Sequence, residues 1–132
     1  MAKTLAETLY DHAAWIHGGE GAGQRAVLSG RDLSNEDLNG LDLRDADFYG
    51  AVLIGVDLSH ADLRRANLVG AILVNANLSR AQLAEADLTD ADLRGANLTG
   101  TDLTGADLWR CNVKGCTIDP EVLHRAFNCV KP

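Results

Sequence analysis

From Ala26 to Pro120 the apolar and polar residues recur with a period of five, and the register holds without a slip through 19 consecutive units. The third position is Leu in 16 units and Phe48, Val113 or Ile118 in the others; the first is Ala in 12. The second is mostly Asp or Asn, and the fourth and fifth are polar, small or Gly, as in ADLRR at 61–65 and ANLTG at 96–100. Positions one and three therefore point the same way, like alternate residues of a half-buried strand. Positions four and five break that alternation with turn residues. A helix is excluded, because a period of five drifts around a 3.6-residue helix and leaves no apolar face. Three extended residues and a corner cannot bury their own Leu. Successive coils must stack, with backbone hydrogen bonds running between them.

The flanks follow other patterns. Residues 4–17 predict a helix with Leu5, Leu9, His12, Ala13 and Ile16 on one face, stopped by Gly18 and Gly19. Near the other end Asp119 predicts an N-cap, Pro120 a first helical residue, and Val122, Leu123, Ala126 and Phe127 an apolar face for the last coil. An open solenoid end exposes strand edges and core leucines, so both helices are expected to serve as caps. The expected organisation is a capping helix and Gly-rich linker over 1–25, a solenoid over 26–120 and a C-terminal capping helix over 121–132.

The A(D/N)LXX pattern resembles the pentapeptide-repeat family over about 70% of the chain. The resemblance implies an all-β fold, a right-handed quadrilateral parallel β-helix with four units per coil and nearly five coils. At roughly 4.8 Å per coil, the spacing of strands in a sheet, the rod is about 23 Å long. The segment from His12 through Trp15 to Leu28 also resembles an N-terminal extension of some members. Four Leu per layer with Ala between them leave no lumen, and solenoids offer faces rather than cavities.

Composition narrows the chemistry. Hydrophobic residues make up 46% of the chain but aromatics only 5%, so Leu and Ala must build the core. The net charge of −7 repels nucleic acid and anionic membranes, so neither is expected as a partner. Acidic residues in the first 17 positions are incompatible with a signal peptide, no run is long enough to span a membrane, and three Cys are not a secreted disulfide framework; the cytoplasm is the expected compartment. Cys111 and Cys116 take inward first positions and are expected as buried thiols, with Cys129 beyond them. The four His are scattered, which predicts no metal site; His12 is expected to bond a coil backbone group beneath the cap. The run GGEGAG at 18–23 follows a helix and lacks the Lys-Ser/Thr of a phosphate loop, so it reads as a linker. No carboxylate pair stands out as acid and base, so neither catalysis nor a cofactor is expected. Arg31 and Glu36 hold inward first positions in the first coil, where either a mutual pair near the rim or a distortion of the coil would relieve their burial; a partly exposed rim position is expected.

With four units per coil, residues 20 apart stack. Val52 then lies under Ile72, Ile54 under Val74 and, at the adjoining corner, Tyr49 under Val69. These six form one apolar patch on a polar surface, and Trp109 shares the Tyr49 column beyond Thr89. Such a patch marks an interface, so the expected function is a non-enzymatic interaction module that docks a protein or forms a homo-oligomer. The alternative implied by the family is DNA mimicry, the binding of DNA gyrase or a related topoisomerase that protects it from quinolones. This chain departs from that subgroup in its shortness, its nearly all-Leu third position, its lack of a long C-terminal dimerisation segment or loop insertion, and the arginines Arg44, Arg64, Arg65 and Arg80 among its acids.

Overall fold

A computed structural model describes residues 3–128 and consists of a four-sided solenoid between two helices, α1 (Leu5–His17) and α2 (Pro120–Asn128). Every bridge between coils is parallel and joins residues 20 apart, from Val27–Asp47 to Asn97–Thr117, which fixes four units per coil.

Hydrogen bonding explains the repeat position by position. In the unit Ala61–Arg65, the Asp62 N–H donates to the Leu41 carbonyl of the coil before (2.9 Å), and the Leu63 and Arg65 N–H groups donate to Gln82 and Ala84 of the coil after (2.7 and 3.0 Å). The first N–H of the next unit, at Ala66, closes the corner on the Leu63 carbonyl (3.0 Å). Only the fourth-position N–H remains, and the second-position side chain takes it: the Arg64 N–H donates to Asp62 Oδ1 (3.2 Å). The same bond recurs from Ser34 to Asp32, Ser59 to Asp57, Thr89 to Asp87 and Thr99 to Asn97. Asp and Asn share the second position because either supplies this carbonyl-type oxygen, the Asx-turn acceptor. Each donor of the unit thus has an acceptor, as a backbone without conventional strands requires.

Leu and Ala fill the interior. Third-position residues from Leu28 to Leu98 and Ala first positions from Ala26 to Ala96 are all at most 3% exposed, with Phe48 fully enclosed in a leucine column. Thr101 replaces Ala in the last coil and donates its hydroxyl proton to the Leu78 carbonyl (2.7 Å).

The fifth residue is left-handed in every unit up to Gly115, with φ between 55° and 71°. Nine of these residues are Gly; the others include Arg65, Arg80, Glu85 and Arg110, which lack the tolerance of Asn, Asp and His for this region. Pro120 cannot adopt it, so the solenoid ends there and α2 begins. Glu85→Gly is accordingly expected to raise stability by about 0.5–1 kcal/mol, read as a higher denaturation midpoint.

The caps form as expected, with differences of detail. Thr4 is the N-cap of α1 in a capping box with Glu7, and α1 presents Thr8 and His12 to the solenoid, with Leu5 and Leu9 half-buried. Ala13 is exposed; Thr8, one turn before His12, takes its place on the inner face. The glycine-rich linker folds back tightly: a Cβ at Gly23 would run into the Asp11 carbonyl, and its φ of 63° is left-handed. Asp119 Oδ1 caps α2 by accepting from the Glu121 N–H (2.7 Å). Ala126 is buried and Val122 and Leu123 half-buried, but Phe127 turns outward, because the short α2 covers only part of the last coil. Arg31 is half-buried and Glu36 exposed, as a rim position requires; Arg31 reaches Thr8 Oγ1 (3.4 Å) rather than pairing with Glu36.

Candidate interaction surface

The patch residues sit on two adjacent sides of the rod. Tyr49 and Val69 close one side, and Val52, Ile54, Ile72 and Val74 lie on the next, across the corner at Gly50 and Gly70. Val52 and Ile72 are a bridged pair. The Leu53 N–H donates to the Ile72 carbonyl (2.7 Å), Gly50 to Val69 (2.9 Å) and Gly55 to Val74 (3.0 Å), so the patch is held by the ladder itself. Tyr49 is 57% exposed and Ile54 40%; the other four are half-buried. Trp109, 54% exposed, extends the Tyr49 column beyond Thr89, while Val27 and Tyr10 add exposed apolar surface that the repeat register does not single out.

Val52 and Ile72 stand where neighbouring units carry the Asx acceptor, so the Ile54 and Val74 N–H groups lack the corner bond made at Ser34 below and Arg94 above. Val27, Gln82 and Thr117 also lack the acceptor, but only Val52 and Ile72 are consecutive in one column.

The acidic residues behave differently from a bare charged stripe. Arg44 chelates Asp42 through Nε and Nη2 (2.9 and 2.7 Å) and approaches Asp62 (3.6 Å), which is itself chelated by Arg64. His17 Nε2 caps this ladder 3.1 Å from Asp42. Arg94 holds Asp92, while Arg65 and Arg110 hold Asp45 and Asp90 of the coil before. The side-chain bond from Arg44 lowers the Asp42 carboxyl below the usual carboxylate range, as Arg94 lowers Asp92. Hydroxyl bonds from Ser59 and Thr104 do the same for Asp57 and Asp102. Because these folded values lie below the unfolded one, their stabilisation is complete above about pH 4 and is lost as pH falls through the folded values. Acid titration followed by circular dichroism is expected to show a cooperative loss of structure only below about pH 4.

Cys111 and Cys116 are free and half-buried rather than fully enclosed, because the last coil has no full coil above it. Burial pushes the Cys111 thiol to about 12 and raises Cys116, so neither is a thiolate at neutral pH. Cys129 lies outside the described residues. Among the described residues, no three or more His, Cys, Asp or Glu side chains converge on a metal position, and no helix is long and apolar enough to cross a membrane. Clefts lie beside the caps, one lined by Thr101, Leu103, Val122 and Arg125, another by Lys3, Asp11, Arg25 and Arg31.

A parallel ladder of period 20, a leucine-filled interior and a left-handed residue at every corner define a quadrilateral β-solenoid. The family model for pentapeptide repeats matches it in eight copies, over residues 24–59, 42–80, 51–90 and 81–118, and the chain belongs to the pentapeptide-repeat family. Among solved structures it is similar to a pentapeptide repeat protein from the cyanobacterium Cyanothece 51142, with 37% identity and a TM-score of 0.73 over 76% of this chain and 69% of that one. It is also similar to HetL, a pentapeptide repeat protein involved in heterocyst differentiation regulation from Nostoc sp. strain PCC 7120, with 38% identity and a TM-score of 0.65 over 70% of this chain and 47% of HetL. A pentapeptide repeat protein of the Arabidopsis thaliana thylakoid lumen matches at 31% identity and a TM-score of 0.60, over 86% of this chain and 84% of that one. No curated protein sequence gives a significant match. The solenoid is the right-handed β-helix of this family.

Proposed function

We propose that the protein acts without chemistry, as a rigid interaction module whose contact surface is the aliphatic patch of Tyr49, Val52, Ile54, Val69, Ile72 and Val74. One observation carries the reading: two consecutive coils forgo the Asx corner bond at Val52 and Ile72, and the outcome is a continuous apolar stripe. Each of the two unmade corner bonds forgoes about 0.5–1.5 kcal/mol, and the one bridged aliphatic pair returns only about 0.2–1 kcal/mol. Stability alone therefore does not account for the stripe, and binding does. The partner is a protein with an apolar contact of its own, a second copy of the chain included.

Light scattering on the wild type and Ile72→Asp tests this. A wild-type dimer that becomes a folded monomer places self-association on the stripe. A wild-type monomer that captures a partner protein, and loses it with Ile72→Asp, makes the stripe a docking site. A dimer or a capture that survives the substitution contradicts the proposal.

DNA mimicry is the second reading, favoured by the net charge of −7 on a narrow rod. The chelation of Asp42, Asp62 and Asp92 by arginines weighs against it, since the neutralised ladder lacks a phosphate-like run of charge. A gyrase supercoiling assay with neither inhibition nor relief of quinolone poisoning would dispose of it.

A further inference from the structure

The contact between α1 and the first coil turns on one ionisable group. His12 is 1% exposed, and its Nδ1 accepts the Ala26 N–H at 2.8 Å, so the ring must be neutral with its proton on Nε2. Nε2 is buried without a hydrogen-bond partner. Among the described residues, this bond ties α1 to the backbone of the first coil with full hydrogen-bond geometry, and the Arg44 backbone also lies close to the ring. The rest of the contact is modest: the buried Thr8 donates to its own helix at Thr4 (2.9 Å) and is reached from the coil by Arg31 at 3.4 Å, His17 Nε2 lies 3.1 Å from Asp42, Leu5 and Leu9 are half-buried, and Gln24 returns one backbone bond to Asp11 (3.2 Å).

A proton on Nδ1 removes the acceptor and sets two N–H donors face to face, with a charge enclosed. The groups around the ring divide. Asp42 and Asp45 of the solenoid and the nearby Arg44 backbone favour a charged ring, whereas Arg25 of the linker and burial oppose it. Burial dominates, holding the imidazole below its ordinary 6.5. On the helix itself, Trp15 stacks on the ring (5.5 Å between centroids), and His17 faces Asp42.

We propose that α1 is an acid-released lid, in which protonation of His12 breaks its bond to the Ala26 N–H and lifts the helix from the edge of the first coil. The sign follows from the lowered folded value. The docked helix is at full strength above about pH 6.5 and weakens as pH falls below it, while the aspartate ladder persists to about pH 4. The lid therefore opens on an intact rod.

Trp15 reports on this directly in a Trp109→Phe background, which removes the other tryptophan near the solenoid. Between about pH 7.5 and pH 5, Trp15 emission is expected to shift to the red, and protection of the Ala26 amide from hydrogen exchange to fall by about tenfold or more, with Leu63 and Ile72 amides unchanged. Nitrogen shifts of the His12 ring should show the Nε2–H tautomer at the upper pH and the imidazolium appearing with the loss of protection. His12→Gln, whose amide oxygen accepts the same bond but does not titrate, is expected to abolish the transition; His17→Gln should leave it in place. Constant Ala26 protection down to about pH 5 overturns the proposal, as does a transition that survives in His12→Gln or disappears in His17→Gln. If His12→Gln fails to fold, the wild-type ring shifts decide: an imidazolium formed while Ala26 stays protected is equally fatal.

Discussion

Leu68→Ala is expected to destabilise the protein by about 3–4 kcal/mol, measured by chemical denaturation. Leu68 is fully enclosed in the third-position column between Phe48 of the coil below and Leu88 of the coil above. The backbone on both sides is pinned by the ladder: the Leu68 N–H donates to Asp87 and the Phe48 N–H to Asn67, each at 2.7 Å. Such a frame cannot collapse into the vacated volume, which keeps the cost above the low end of the usual range of about 2–5 kcal/mol. A comparable substitution in the last coil, Leu103→Ala, should cost less, since Leu103 retains 6% exposure under the partial cover of α2.

Overfilling the same interior is expected to be nearly as damaging. Ala76→Leu should cost about 2–3 kcal/mol by the same measurement. Ala76 is 1% exposed at an inward corner, and its N–H closes the turn on the Leu73 carbonyl (3.0 Å), so the backbone has no freedom to retreat. The interior slot that Ala76 occupies beside Leu78 is filled by a methyl group, as at most first positions of the rod. Together the two substitutions distinguish a packed core from a lumen: a channel through the rod would accept the larger side chain and barely register the smaller one.

The repeat period, the inward Leu and Ala, both caps and the role of His12 are all legible in the sequence, because each depends on spacing or on local capping chemistry. The role of the second position is harder to read. Outward Asp residues look like a solvated acidic face, and only the geometry shows Asp62 or Asp102 accepting a corner N–H two residues on. The free exchange of Asp for Asn at that position was the available clue, since an amide oxygen accepts the same bond without any charge. The left-handed fifth position is plain where the residue is Gly and hidden at Arg65, Arg80, Glu85 and Arg110, whose types argue against it. Pairing of arginines across coils, such as Arg65 with Asp45, depends on rotamers that a repeat does not specify. The same limit hid the outward turn of Phe127 and the reach of Arg31 to Thr8, both at rod ends where the register no longer dictates the neighbours.

On the proposed function, Val52 and Ile72 are present for contact and not for the fold. A Val52→Asn, Ile72→Asn double variant tests it, because Asn restores the corner acceptor while removing the stripe. Denaturation and light scattering should be measured on the same samples. The double variant is expected to be a folded rod no more than about 1 kcal/mol less stable than the wild type, since two restored bonds offset the lost aliphatic pair, and to lose self-association or partner capture. A variant destabilised by more than about 2 kcal/mol that still associates like the wild type would show the stripe to be stacking support, and would contradict the interaction surface proposed for this solenoid.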